Sequence, residues 1–137
     1  MRKVKKDIFK TYTKRISNAV LTGEMHYKTT YKDINKFFNI FNKALFKNKL
    51  IPFNDIKIRK MNKTWGQFVE VFNNRKKTIS YELEMLPEYP NKKEFLSTLA
   101  HECIHYSQIL LKKGNVAHNK YFYSFKSKFK KLNLHLN

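Results

Sequence analysis

An α+β fold is the class this sequence predicts, and three observations carry it. Apolar residues recur at helical spacing in residues 30–50 and 91–114. Between them, across residues 55–83, the period changes to the alternation of strands. Glycine and proline number three each, so the few present punctuate the chain. The expected order is N-terminal helices, a small three-stranded antiparallel sheet, a histidine-bearing helix and a C-terminal helix. The 137 residues suit one domain with a single modest core.

Residues 1–24 read as a basic helix. Val4, Ile8, Tyr12, Ile16 and Val20 recur at spacing four, and Gly23 is a stop. We set residues 1–29 apart as a basic helical extension and take 30–137 as the domain proper. In residues 30–50, Thr30 with Asp33 resembles a capping box. Ile34, Phe37, Phe38, Phe41, Ala44 and Leu45 then form a core-facing stripe.

Three short strands follow. "DIKIRKM" alternates Ile56 and Ile58 against Lys57 and Arg59. "TWGQFVEVF" is β-branched and aromatic, and "KKTISYELEM" alternates again. Asn73-Asn74 is the expected turn between the last two, in an antiparallel meander. Gly66 inside a strand marks a bulge or a close backbone approach.

Pro87 and Pro90 precede the next helix. Asn91 is placed to cap it, with Glu94 three residues on. Leu96, Leu99, Ala100, Cys103, Ile104 and Leu111 make its core stripe, and Gly114 is the expected C-terminal stop. A last helix is expected over "HNKYFYSFKSKFKKL", with Phe122, Phe125, Phe129 and Leu132 at helical spacing.

The formal charge is +19, from 29 Lys and Arg against 10 Asp and Glu. Such an excess favours polyanions, nucleic acid in particular. Only four of the cations are arginine, and the chain is rich in residues with AT-rich codons, so base composition offers a plainer source of the lysines. No apolar run approaches the ~20 residues of a membrane span. The basic N-terminus lacks the apolar core of a signal peptide. The single cysteine, Cys103, excludes an internal disulfide. We expect a monomer with no membrane partner, cytoplasmic or associated with DNA.

The chemistry concentrates in His101-Glu102-Cys103-Ile104-His105. Residues i and i+4 share a helix face about 6 Å apart, so both imidazoles can reach one zinc at ~2.0–2.1 Å. The glutamate at i+1 stands beside that face and can take a proton from a water there, then pass it to a leaving amine. That division of labour is the HExxH metallopeptidase pattern. A catalytic zinc needs a third protein ligand. His118 is geometrically the best placed, because a helix, a turn and a returning helix bring it back over the His101/His105 face. Glu82, Glu84, Glu88 and Glu94 stay open as alternatives. His26 lies in a polar segment before the main helix, and His135 is the third residue from the end of the sequence.

Other residues have two readings each. Cys103 points away from the histidine face, as a small core residue. Gln108, at i+7 from His101, either orients a ligand or sits as a surface glutamine. Tyr106, Tyr121 and Tyr123 are candidates to stabilise an oxyanion, or aromatic packing. Trp65 with Gly66 offers an edge for an extended peptide, or a core tryptophan.

These residues resemble the SprT-like, Spartan-related metallopeptidases. The family pattern is HExxH, a loop, then a third zinc histidine in "HG..F" or "HG..W". Here His118 follows His105 by thirteen residues, with Phe122 four further on. Upstream, "FNKALFKNKLI" resembles the family's "FN..LF.G.LP", "KMNKTWGQF" its "..R.AG.C", and "TISYELEM" its "I.LS..L". The likeness covers residues 30–132. It implies a minimal zincin-like domain with one zinc on His101, His105 and His118, Glu102 as general base, and proteins bound to DNA as substrates. Asn119 departs from the family's glycine, and we expect asparagine to tolerate the turn's backbone angles. No cysteine-rich zinc ribbon is present, so recruitment through one is not expected. The rival reading is a basic nucleic-acid-binding protein whose zinc site is structural or degenerate.

Overall fold

The computed structural model describes residues 8–21 and 26–136. Helix α1 (Ile8–Leu21) leads into a short strand, β1 (Tyr27–Lys28), and helix α2 (Tyr31–Leu45). Strands β2 (Asp55–Ile58), β3 (Gly66–Asn73), β4 (Thr78–Met85) and β5 (Glu88–Tyr89) follow. Then come α3 (Lys92–Leu110), α4 (Lys120–Tyr123) and α5 (Lys126–Lys131). The α+β class and the order of the long elements are as expected.

Of the α1 stripe, Ile16 is fully buried and Tyr12 and Val20 are partly so. Val4 and Gly23 lie outside the described residues. At α2 the Thr30 side chain accepts from the Asp33 N–H, as the capping box requires. The predicted stripe is buried throughout, from Ile34 to Leu45.

The sheet departs from expectation. It has three strands, but it is mixed, in the order β2-β4-β3. The β3–β4 hairpin is antiparallel, from Gly66↔Met85 to Asn73↔Thr78. Strand β2 runs parallel to β4 instead, with Ile58 opposite Met85. Both Ile58 and Gly66 therefore sit level with Met85, on opposite sides of β4. Residues 59–65 cross the end of β4 to join them. Alternation within a strand records which face is buried. It carries no record of which neighbour a strand takes. A second ribbon, β1 with β5, was not expected; Tyr27 pairs with Tyr89.

Helix α3 is the hub, in contact with α1, α2, β3, β4 and β5. Its Leu96, Leu99, Ala100, Cys103 and Ile104 are all fully buried. The expected single C-terminal helix is broken into α4 and α5 at Ser124-Phe125. Its apolar positions Phe122, Phe125, Phe129 and Leu132 are nonetheless all buried.

Candidate metal centre

Four polar side chains of the site come from α3. Asn91 caps the helix by accepting the Glu94 N–H at 2.9 Å. His101, His105 and Gln108 follow at spacings of four and three, so they share a face. The helix ends in a widened turn, with the Lys112 N–H on the Ser107 carbonyl at 3.2 Å. The Gly114 N–H reaches back to the Gln108 carbonyl at 2.9 Å. Gly114 does close the helix, but the left-handed residue is Lys113, with φ 52°. The turn sits one residue earlier than the glycine suggests, and glycine only supplies the closing N–H.

The chain then runs back over α3 and delivers His118. Asn119 follows with φ −105° and ψ −169°, an extended conformation any residue adopts. No unusual angle has to be tolerated there. Asn119 caps α4 instead, accepting the Phe122 N–H at 3.1 Å. This places Phe122, fully buried, beneath the histidines. Its ring stacks on that of His118 at 4.2 Å and 6°. It also lies 5.2 Å from the His105 ring and 4.9 Å from that of His101.

The ring nitrogens of His101, His105 and His118 lie within 4.8 Å of one another. Nε2 of His101 and Nε2 of His105 are 3.0 Å apart. Two nitrogens bound to one zinc at ~2.05 Å with tetrahedral angles stand about 3.3 Å apart, close to that separation. Three neutral imidazoles are a donor set suited to zinc. The surroundings of His101 and His105 favour the neutral form. Burial first, then the nearby His105 and His118, pushes His101 down to about 4. Burial likewise lowers His105, against the opposing effect of its hydrogen bond to Gln108.

The other candidate ligands are engaged elsewhere. Glu94 pairs with His135 at 3.2 Å, and His26 pairs with Glu88 at 3.4 Å. Glu82 pairs with Lys57 and Glu84 with Arg59. Cys103 is fully buried and its thiol is raised by that burial, so it is a core residue.

Glu102 sits beside the triad, 7% exposed. Burial raises its carboxyl to about 7, although the Phe68 N–H, donating to Oε1 at 3.1 Å, works in the other direction. Phe68 is on β3, and Gly66 is what lets that strand come so close. A Cβ at Gly66 would stand 2.5 Å from Cγ2 of Thr98 and 3.4 Å from Cγ of Glu102. The close-approach reading of Gly66 is the correct one.

A cleft of about 330 Å³ opens against His101 and Glu102, walled by Lys63, Trp65, Thr98 and His135. Trp65 is 47% exposed at its rim, not a core tryptophan. Of the three tyrosines, Tyr106 is fully buried among Phe53, Phe68 and Tyr81. The Tyr121 hydroxyl is bonded to Ser107 at 2.8 Å. Tyr123 is exposed, edge-on to His118.

One contributor escapes sequence reading. The Phe68 donor is a backbone N–H, which has no residue-type signature. Phe68 itself appears in the sequence only as part of a β-branched, aromatic strand. Gln108 stands out in the sequence by its i+7 spacing, but that spacing leaves its partners undefined.

The arrangement defines a class: a helix-borne three-histidine centre with an adjacent buried carboxylate and an open cleft. A family model for the SprT-like family matches residues 34–136, and the chain belongs to that family. No curated protein and no solved structure matches the chain. No helix among the described residues is long and apolar enough to cross a membrane.

Proposed function

We propose that the protein is a zinc-dependent metallopeptidase acting on proteins associated with DNA. The observation that carries this reading is Glu102, a carboxyl buried next to three clustered histidines at the wall of an open cleft. A structural zinc site has no use for that carboxylate or for that space. Membership of the SprT-like family, associated with metallopeptidase activity, supports the same reading.

His101, His105 and His118 would hold the metal. Zinc bound there would supply Lewis acidity, lowering the pKa of water towards ~7 and polarising a carbonyl. Glu102 is the general base. Its carboxylate accepts a proton and returns it to the leaving amine. The Phe68 N–H occupies Oε1, which leaves Oε2 for proton transfer. Tyr123 is the tyrosine still free to approach a developing oxyanion, since burial and the Ser107 bond engage the other two. Trp65 and the start of β3 offer an extended peptide an edge to lie on.

For nucleic acid, the charge of +19 has a local counterpart. Lys47, Lys49, Lys112 and Lys128 surround a concavity of about 290 Å³ between the ends of α2 and α3. Lys112 also lies over the Tyr121 ring at 5.3 Å. No acidic residue lines it.

The test is Glu102→Gln in the full chain, purified without chelators. We expect about one zinc per chain in wild type and variant alike, with cleavage of a DNA-bound protein lost in the variant. A wild-type chain that binds no zinc, or a variant that still cleaves, overturns the reading.

A further inference from the structure

Gln108 lies on α3 beyond His105 and is 2% exposed. Its amide makes four contacts. Oε1 is 2.8 Å from Nδ1 of His105 and accepts the Ala117 N–H at 3.2 Å. Nε2 donates to the Ala117 carbonyl at 2.7 Å and to Oδ1 of Asn119 at 3.2 Å. A carboxamide has two acceptor lone pairs and two donor hydrogens, so all are used.

The orientation of a glutamine amide is ordinarily ambiguous. Here the Ala117 backbone removes the ambiguity. Its N–H can only donate, so it must face the amide oxygen. Its carbonyl can only accept, so it must face the amide nitrogen. The atom against His105 is therefore the oxygen, and Nδ1 of His105 must carry hydrogen. A neutral imidazole protonated at Nδ1 has its lone pair on Nε2. Nε2 is the nitrogen that lies 3.0 Å from His101.

The same amide holds both residues that flank His118. Asn119, bonded to it, also caps the helix that sets Phe122 beneath the rings. One side chain thus joins the second histidine to the loop that delivers the third. We propose that Gln108 is the positioning residue of this centre, holding His105 in the tautomer that presents Nε2 and clamping the His118 loop onto α3.

The inference rests on the reading of the three histidines as a metal centre, and not on proteolysis. Its test therefore uses zinc alone, titrated into the full-length chain against a competing chelator. Gln108→Leu keeps the bulk and removes all the bonds. We expect zinc affinity to fall roughly 10- to 100-fold, the range for lost outer-shell partners. Side-chain ¹⁵N spectra of the metal-free chain supply a second readout. The wild type should show His105 protonated at Nδ1, and Gln108→Leu should shift it towards the Nε2-protonated form. A merely structural glutamine would lower the melting temperature without moving that tautomer. Gln108→Glu keeps the acceptor for His105 but cannot donate to the loop; it should hold the tautomer and still weaken zinc. Unchanged zinc affinity in folded Gln108→Leu overturns the proposal. So does a wild-type His105 protonated at Nε2, a measurement that stands even if both variants fail to fold. A wild-type chain that binds no zinc sinks the metal-centre reading itself, and the first titration reveals it before any variant is made.

Discussion

The backbone N–H of Phe68 donates to Oε1 of Glu102 at 3.1 Å, across 34 residues of sequence. This one bond ties the sheet to the carboxylate beside the histidines. It also partly offsets the burial that pushes Glu102 up to about 7. Several outcomes depend on how that carboxylate and its neighbours are held.

Removing the charge of Glu102 should stabilise the metal-free protein at alkaline pH. Its carboxyl rises from 4.5 in the unfolded chain to about 7 in the folded one. The folded state therefore holds its proton more tightly. The stability this contributes is complete below 4.5 and is lost as pH rises through 7. Glu102→Gln does not titrate, so it should gain on the wild type by up to about 3 kcal/mol at pH 8 and by little near pH 4.5. His101 and His105 titrate in both chains, so their effect largely cancels in the difference. Urea melts across this range measure it, and a difference independent of pH would refute the raised carboxyl.

Gly66 and Thr98 should behave as a coupled pair. Gly66→Ala puts a methyl 2.5 Å from Cγ2 of Thr98. Overpacking of that kind costs about 1–3 kcal/mol. Thr98→Ser removes the offending methyl and keeps the hydroxyl bond to the Glu94 carbonyl. The double variant should recover most of the loss in a thermodynamic cycle. Additive effects would mean that β3 does not press on α3 at this point.

Phe122 should matter to folding and to metal together. Phe122→Ala empties the space under three imidazoles and should cost about 3–5 kcal/mol. Phe122→Leu should cost less and retain zinc more weakly than the wild type. Equal zinc affinity in the folded leucine variant would show that the stacking does not position His118.

Of the two C-terminal histidines, only one should be a ligand. His118→Ala should lose zinc at concentrations that saturate the wild type. His135→Ala should not, because the His135 ring faces Glu94 at 3.2 Å and its backbone N–H donates to Oγ of Ser97, on the wall of the cleft. Parallel zinc titrations decide the matter, and the reverse ranking would displace His118 from the centre.

Nucleic-acid binding should be steeply salt-dependent. Each lysine–phosphate contact contributes a slope of about 0.7–0.9 in log affinity against log salt. Replacing Lys47, Lys49 and Lys112 by alanine should lower the slope by about 2–3. An unaltered slope would place the contacts elsewhere on the surface, and a flat one would reduce the lysines to base composition.

What the sequence determined by itself is local. The Thr30 and Asn91 caps, the buried stripes of α2 and α3, and the β3–β4 hairpin depend on residues within a few positions of one another. So does the shared face of His101 and His105, because helical geometry places i and i+4 together whatever lies around them. His118 was legible as the best-placed third histidine because a helix that ends near Gly114 must send the chain back. Only the tertiary structure decided the rest. It set Glu82, Glu84, Glu88 and Glu94 against Lys57, Arg59, His26 and His135. It paired β2 with β4 in parallel because a loop crosses the strand end, and no residue pattern encodes that crossing. It split the last helix in two, and it gave Asn119 the work of a cap. It brought a backbone N–H to Glu102 and the Ala117 peptide to Gln108. Peptide groups are chemically alike at nearly every position, so a sequence cannot mark which of them will meet a buried side chain. Packing makes that choice, by allowing β3 to close on α3 where Gly66 has no side chain.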